Sequence, residues 1–128
     1  MKNKKILIID DDHDILEVMT IVLEDPGYQV TTLNSGRYAN LIPDILPDLL
    51  LLDLRMDGNK NAGAEICIRL KTTRSTKHIP VILISAERDI SIIADACGAN
   101  GYIRKPFDID EVINIAERIT CGQCEMDA

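Results

Sequence analysis

The side chains best suited to chemistry follow short apolar runs of the sequence. Asp10 and Asp11 follow one such run, Asp53 follows another, and Ser85 and Lys105 follow two more. Three carboxylates brought together repel one another unless a cation shares them, and Mg²⁺ is a hard ion that prefers oxygen ligands. With a lysine and a hydroxyl added, the set has what phosphoryl transfer to a carboxylate requires. Asp53 is the expected nucleophile, because Asp10 and Asp11 form a pair suited to holding a metal.

Five apolar runs alternate with amphipathic or polar stretches, which is typical of repeated β-α units and of a parallel sheet covered on both faces. The sequence therefore predicts a doubly wound α/β fold. In an open parallel sheet, ligands bind at the carboxyl ends of the strands, and the five side chains above all stand at such ends. The predicted strands are Lys5 to Ile9, Gln29 to Leu33, Asp48 to Leu52, Pro80 to Ile84 and Gly101 to Ile103.

Amphipathic spacing predicts the helices between these strands. The first helix is expected to end before Pro26-Gly27, and Asp108 is expected to cap the last one. We expect one domain over residues 1–120 and a short C-terminal tail over residues 121–128. Weaker helical patterns lie near Arg37 to Ile42, Ala62 to Lys71 and Asp89 to Cys97, with Pro43, Pro47 and Gly98 at their ends.

The composition argues against several classes of function. The chain has 128 residues and a formal net charge of −7, with 3% aromatic residues and no tryptophan. An acidic chain with few stacking side chains is a poor candidate for direct nucleic-acid binding. No stretch is apolar enough to cross a bilayer, and the start of the chain lacks the features of a signal peptide. We therefore expect a cytoplasmic location without membrane association.

The four cysteines fall into two groups. Cys67 and Cys97 stand inside apolar helical patterns, where a thiol packs as a small hydrophobe, so both are expected in or near the core. Cys121 and Cys124 form a Cys-x-x-Cys pair near the end of the chain. This spacing occurs in redox and metal pairs, but no further cluster of Cys or His supplies the remaining metal ligands. The interpretation as an incidental tail is favoured.

Four motifs, in order along the chain, carry a resemblance to a known family. Over nearly its whole length the sequence resembles the receiver domain of two-component response regulators, in the CheY-like superfamily. The resemblance implies a flavodoxin-like (βα)5 fold with strand order 2-1-3-4-5 and helices on both faces. It also implies a phosphorylation-dependent signalling switch, not an enzyme, with at most slow self-dephosphorylation. The motifs are Ile6 to Asp12, Pro47 to Asp53, Pro80 to Ala86 and Gly98 to Phe107.

The resemblance assigns roles to the residues at the strand ends. A histidine kinase or a histidine phosphotransfer protein is the expected donor of a phosphoryl group to Asp53, with Mg²⁺ as the cofactor. Asp11, Asp53 and the backbone carbonyl of Arg55 are expected to bind the Mg²⁺, and Asp10 is expected to help through a water. Lys105 is expected to pair with a carboxylate in the empty site and with phosphoryl oxygens in the filled one.

Ser85 and Tyr102 match the family's switch pair, a hydroxyl that moves toward the phosphoryl group and an aromatic ring that turns inward behind it. The Lys105–Pro106 bond matches one that is cis in the family. The output surface is expected on the last two helices and the strand between them, and a phosphorylation-dependent homodimer and an unknown effector are compatible with it. Candidates for its apolar part are Ile90, Ile92, Ile93 and Tyr102.

The sequence departs from the family pattern after the third strand. Family members usually carry a proline a few residues after the phosphorylated aspartate, followed by a glycine, and here Asp57-Gly58 stands in that place. The loop over residues 56–63 is also slightly longer than usual. Arg55 and Glu87 flank the expected phosphorylation site, and their opposite charges suggest that they pair across it and hinder an attacking water.

Two other functions are open at this point. A phosphatase resembling the haloacid-dehalogenase superfamily would use Asp10 as its nucleophile, because Asp10-x-Asp12, Ser85 and Lys105 partly match its motifs. That interpretation leaves Asp53 unexplained. A receiver-like scaffold would instead bind partners without being phosphorylated. The sequence does not give the cognate kinase, the output partner or the oligomeric state.

Overall fold

The computed structural model describes residues 4–126, with the side chains of residues 4–121. Its five strands are β1 (Lys5–Ile9), β2 (Gln29–Leu33), β3 (Leu49–Asp53), β4 (Val81–Ser85) and β5 (Gly101–Arg104). They form one parallel sheet with the order β2-β1-β3-β4-β5. The predicted strands are confirmed, although β3 and β4 each begin and end one residue later than expected and β5 ends one residue later.

Five helices connect or follow the strands, so the doubly wound α/β fold is confirmed. In residues 4–126, no helix combines the length and the apolar character that crossing a membrane requires. Helix α5 continues past residue 120, where we placed the start of a tail, and that boundary stays a prediction. The helices are α1 (His13–Glu24), α2 (Ile42–Ile45), α3 (Ala62–Lys71), α4 (Ile90–Cys97) and α5 (Ile109–Met126).

The segment between β2 and β3 differs from the prediction of one helix over Arg37 to Ile42. It is a 3-10 helix over Gly36–Leu41, followed directly by the single turn of α2. Pro43 was expected to end a helix but lies in the first turn of α2, where its missing N–H costs no hydrogen bond. The segment ends at Leu46, whose φ of 47° takes the chain out of the helix.

The central strands carry the core. Every residue of β3 and β4 is buried, as expected for strands covered on both faces. Leu50 and Leu52 pack with α3 and α4 on one face, while Leu49 and Leu51 pack with α1 and α5 on the other. Each such side chain stabilises the fold by about 1.5–3 kcal/mol relative to an exposed one. The sheet is therefore a rigid base for whatever stands at its carboxyl edge.

Hydrogen bonds fix the first turns of α1 and α3 at the carboxyl edge of the sheet. Asp12 caps α1, because its Oδ1 accepts the N–H groups of Asp14 at 2.9 Å and Ile15 at 3.3 Å. At the start of α3, the Gly63 N–H donates to the Leu54 carbonyl at 2.8 Å. A Cβ on Gly63 would collide with the Asp53 carbonyl oxygen and lie 2.9 Å from the Leu54 Cα. Helix α3 is therefore seated directly on the end of β3.

This close approach predicts that Gly63→Ala destabilises the protein. The added methyl group meets backbone atoms that cannot rotate away, so we expect a loss of about 1–3 kcal/mol in the free energy of unfolding, measured by urea denaturation. Arg69→Ala, an exposed position of the same helix, is the matched control and should change that free energy by less than about 0.5 kcal/mol. Equal stability of the Gly63→Ala variant and the wild type would contradict this packing.

Candidate functional site

Four strands deliver polar side chains to one cavity of about 380 Å³ at the carboxyl edge of the sheet. Asp10 and Asp11 follow β1, Asp53 ends β3, Ser85 ends β4, and Lys105 follows β5. The structure thus brings together the five side chains that the sequence singled out. Because the strands are parallel, their ends meet at a single edge. The cavity is lined by Asp10, Asp11, Asp12, Asp53, Arg55, Ser85, Ala86, Glu87 and Lys105.

The three carboxylates form a group of the size that a metal ion needs. Asp10, Asp11 and Asp53 each offer one oxygen, and these oxygens lie within 4.8 Å of one another. Asp10 and Asp53 are buried, with 1% and 5% of their surfaces exposed, whereas Asp11 is exposed. The Asp10 Oδ1 accepts the Asp12 N–H at 2.9 Å, but its buried Oδ2 has no hydrogen bond from any described residue.

A buried carboxylate oxygen without a donor is costly, and a divalent cation held by oxygen ligands removes that cost. The chemistry of these residues therefore fits a hard divalent ion.

One lysine faces the two buried carboxylates. The Lys105 Nζ donates to the Asp53 Oδ1 at 3.2 Å and forms a longer ion pair with the Asp10 Oδ2 at 3.8 Å. Its backbone N–H donates to the Ser85 carbonyl at 2.9 Å, which ties the start of this loop to the end of β4. The Lys105–Pro106 bond is cis, as the resemblance implied.

Burial and the closeness of the carboxyl groups raise the pKa of two of them. The pKa of Asp53 is raised from 3.8 to about 7, first by burial and then by the charge of Asp10, with Lys105 opposing both. The pKa of Asp10 is also raised, again chiefly by burial, although the Asp12 N–H and Lys105 favour its charged form. A single ammonium group therefore does not compensate two buried carboxylates.

The expected switch residues lie in different surroundings. Ser85 is buried in the cavity wall, and its Oγ accepts the Glu87 N–H at 2.9 Å. Tyr102 lies outside the cavity, with 38% of its surface exposed, and the Arg104 guanidinium lies 5.7 Å from its ring centroid. The Arg104 Nη1 donates to the carbonyls of Glu87 at 3.2 Å and Arg88 at 3.0 Å. Arg104, which the sequence analysis missed, thus connects this ring to the loop after β4.

The mouth of the cavity carries an ion pair. The Arg55 Nη2 lies 2.6 Å from the Glu87 Oε1, so the predicted pairing of these side chains is confirmed. Its effect on water stays a prediction.

Asp57 is a further residue that the sequence analysis left without a role, and its N–H donates to the Asp11 Oδ2 at 3.2 Å. The Asp-Gly dipeptide signals a turn, but no sequence signal gives this contact.

Three other expectations have mixed outcomes. Cys67 and Cys97 are buried, as predicted, whereas the side chain of Cys124 lies outside the described residues. Ile90 is fully buried and packs into the core, so its assignment to an exposed output surface was wrong. Its helical register turns it toward the sheet, while Ile92 is 70% exposed.

Comparisons with known proteins agree with the fold. The phosphate regulon transcriptional regulatory protein PhoB of Pseudomonas aeruginosa is 38% identical over 88% of this chain, which spans 50% of that relative's length. The structure of the chemotaxis response regulator CheY4 of Vibrio cholerae matches with a TM-score of 0.81 and 25% identity, over 92% of this chain and 99% of that one. The receiver domain of NtrX from Brucella abortus matches with a TM-score of 0.79 and 31% identity, over 90% and 97% of the two chains.

The family assignment rests on a family model that matches most of the chain. The family model described as the response regulator receiver domain matches residues 6–117. That range contains β2 to β5, all of β1 except Lys5, and every residue that lines the cavity. None of these comparisons points to a haloacid-dehalogenase phosphatase. The chain belongs to the family of response regulator receiver domains.

Proposed function

We propose that Asp53 is the phosphoacceptor of this receiver domain and that Mg²⁺ is its cofactor. The observation that carries the proposal is the placement of the Asp53 carboxylate, which is buried at the end of β3 and bonded to the Lys105 Nζ at 3.2 Å. Its oxygen lies within 4.8 Å of the oxygens that Asp10 and Asp11 offer. The proposed donor is a phosphohistidine on a histidine kinase or a histidine phosphotransfer protein.

The cation would be held by Asp11, Asp53 and the Arg55 carbonyl, with Asp10 acting through a water. When bound, Mg²⁺ supplies positive charge that neutralises the carboxylates and the transferred phosphoryl group. An Asp53 carboxylate oxygen forms a bond to phosphorus as the bond from phosphorus to the donor imidazole nitrogen breaks, and the nitrogen leaves with the electron pair. Lys105 then exchanges its carboxylate partner for a phosphoryl oxygen.

The proposed response begins at Ser85. Its hydroxyl would leave the Glu87 N–H, which it now accepts at 2.9 Å, and donate to a phosphoryl oxygen. The loop after β4 would move with it, and Tyr102 would follow, because Arg104 contacts both that loop and the ring. The output would then be read on α4, β5 and α5. The role is regulatory, and hydrolysis of the aspartyl phosphate would be slow.

The first test is covalent modification. We expect the wild type, incubated with Mg²⁺ and acetyl phosphate, to gain the mass of one phosphoryl group by intact-mass spectrometry. Asp53→Asn should gain none. Asp48→Asn is the matched control directly before the start of the same strand, where the side chain accepts the Lys5 N–H and an amide oxygen can replace it. Unmodified wild type, or a modified Asp53→Asn variant, would refute the proposal and favour a scaffold or another nucleophile.

The raised pKa of Asp53 gives a second test in the metal-free protein. Because the folded-state pKa of about 7 exceeds the ordinary 3.8, proton binding stabilises the fold below about pH 4, and this contribution is lost as the pH rises through about 7. Asp53→Asn cannot ionise. In excess EDTA at about pH 8, the variant should be more stable than the wild type by at most about 4 kcal/mol, and the gap should close toward about pH 4.

Urea denaturation across that pH range measures this difference. Asp48→Asn is again the control, and it should follow the wild type. A gap that does not depend on pH would contradict the assignment of the shift to Asp53.

The ion pair at the cavity mouth gives a third test. If Arg55 and Glu87 hinder an attacking water, Arg55→Ala should shorten the lifetime of phosphorylated protein after removal of acetyl phosphate. We expect at most about a fivefold change, because an exposed ion pair contributes no more than about 1 kcal/mol. Arg74→Ala removes the same charge from an exposed loop position and should leave the lifetime unchanged. An unaltered lifetime in Arg55→Ala would end the hypothesis.

A further inference from the structure

We propose that Asp57 is a positioning residue for the metal site, because its backbone amide holds the Asp11 carboxylate and its own side chain anchors that amide. The inference rests on the proposed function, since it concerns a ligand of the proposed Mg²⁺. It assigns a role to a loop residue that lies outside the lining of the cavity.

The first observation is the contact with Asp11. The Asp57 N–H donates to the Asp11 Oδ2 at 3.2 Å, and within residues 4–121 it is the one hydrogen bond to this carboxylate. Asp11 is exposed, whereas the other two carboxylates of the group are buried. Packing therefore does little to fix the Asp11 side chain, and its orientation depends on this amide.

The second observation is the anchoring of Asp57 itself. Its Oδ2 accepts the Ser35 Oγ–H at 3.0 Å and the Gly36 N–H at 2.9 Å. Ser35 lies in the loop after β2 and Gly36 begins the 3-10 helix, so Asp57 connects the segments that follow three strands. An exposed side chain with two such bonds holds its backbone in one place.

The third observation is the backbone conformation. Asp57 and Gly58 have φ values of 56° and 76°, and they lie between Met56 and Asn59, which exchange two backbone hydrogen bonds. Two central residues with positive φ are typical of a tight hairpin turn. Aspartate tolerates this region better than most residues, and its two side-chain bonds keep it there.

The contact belongs to this chain and does not follow from the family pattern. Where family members usually carry a proline, no N–H exists to donate to Asp11, and the ring fixes φ near −65°. Asp57 supplies both the missing donor and the positive φ. A carboxylate whose rotation is already fixed loses less conformational entropy when it binds a cation, so the contact should strengthen Mg²⁺ binding.

The test is the dissociation constant of Mg²⁺, measured by isothermal titration calorimetry on the full chain without a phosphodonor. Asp57→Ala should raise it roughly tenfold, the effect of losing a residue that orients a metal ligand. Asp57→Gly keeps the amide and adopts positive φ without strain, so it removes the side-chain anchor and its charge without straining the backbone, and it should weaken binding in the same direction while the protein stays folded.

The Asp57→Asn variant distinguishes an effect of the Asp57 charge from an effect of its positioning of Asp11. An asparagine keeps the amide, an acceptor oxygen and the tolerance of positive φ, so it should restore binding close to the wild-type value. Asp44→Ala removes a negative charge from an exposed position on α2 and should leave the dissociation constant unchanged. If Asp57→Asn binds as weakly as Asp57→Ala, the effect is one of charge and the positioning role is refuted.

The remaining outcomes separate this inference from the proposed function. Wild-type affinity in both Asp57→Ala and Asp57→Gly would refute the positioning role while leaving phosphorylation of Asp53 untouched. Absence of Mg²⁺ binding by the wild type would refute the metal site, and the positioning role with it. As a second readout, the backbone amide proton of Asp57 should shift in NMR spectra as Mg²⁺ is added, because its acceptor becomes a metal ligand.

Discussion

Repulsion among carboxylates at the end of the sheet is the constraint on which this structure depends. Asp10 and Asp53 are buried, Asp11 stands beside them, and Lys105 is the ammonium group that pairs with both buried members. The fold cannot relieve the repulsion by moving them apart, because β1 and β3 are neighbouring strands that pack into the core on both faces of the sheet. The cavity is therefore sensitive to any added charge, whether a proton, a cation or a phosphoryl group.

The rest of the fold keeps these groups in place. Two apolar layers hold β3 on both faces, and the Gly63 backbone lies against the last peptide of that strand. Functional side chains on strands held in this way are placed more accurately than side chains on loops. The loops around the cavity are instead tied by single polar residues, Asp57 on one side and Arg104 on the other.

The sequence predicted the features that depend on strand periodicity. An apolar run followed by a polar residue places that residue at a strand end, and parallel order brings such ends together, so the convergence of Asp10, Asp53 and Lys105 was predictable. Contacts between exposed loops carry no such periodicity, so the bonds of Asp57 could not be found. Ile90 was misassigned because one helical turn of apolar residues does not show which of them faces the sheet.

The amide, carboxylate and carbonyl groups of Glu87 each form a hydrogen bond with a different part of the molecule. Its amide is held by the Ser85 hydroxyl, its carboxylate by Arg55 and its carbonyl by Arg104. A displacement of this residue by a fraction of an ångström disturbs all three bonds at once. The mouth of the cavity and the outer face of β5 are therefore linked through a single residue, so a shift of Glu87 reaches both.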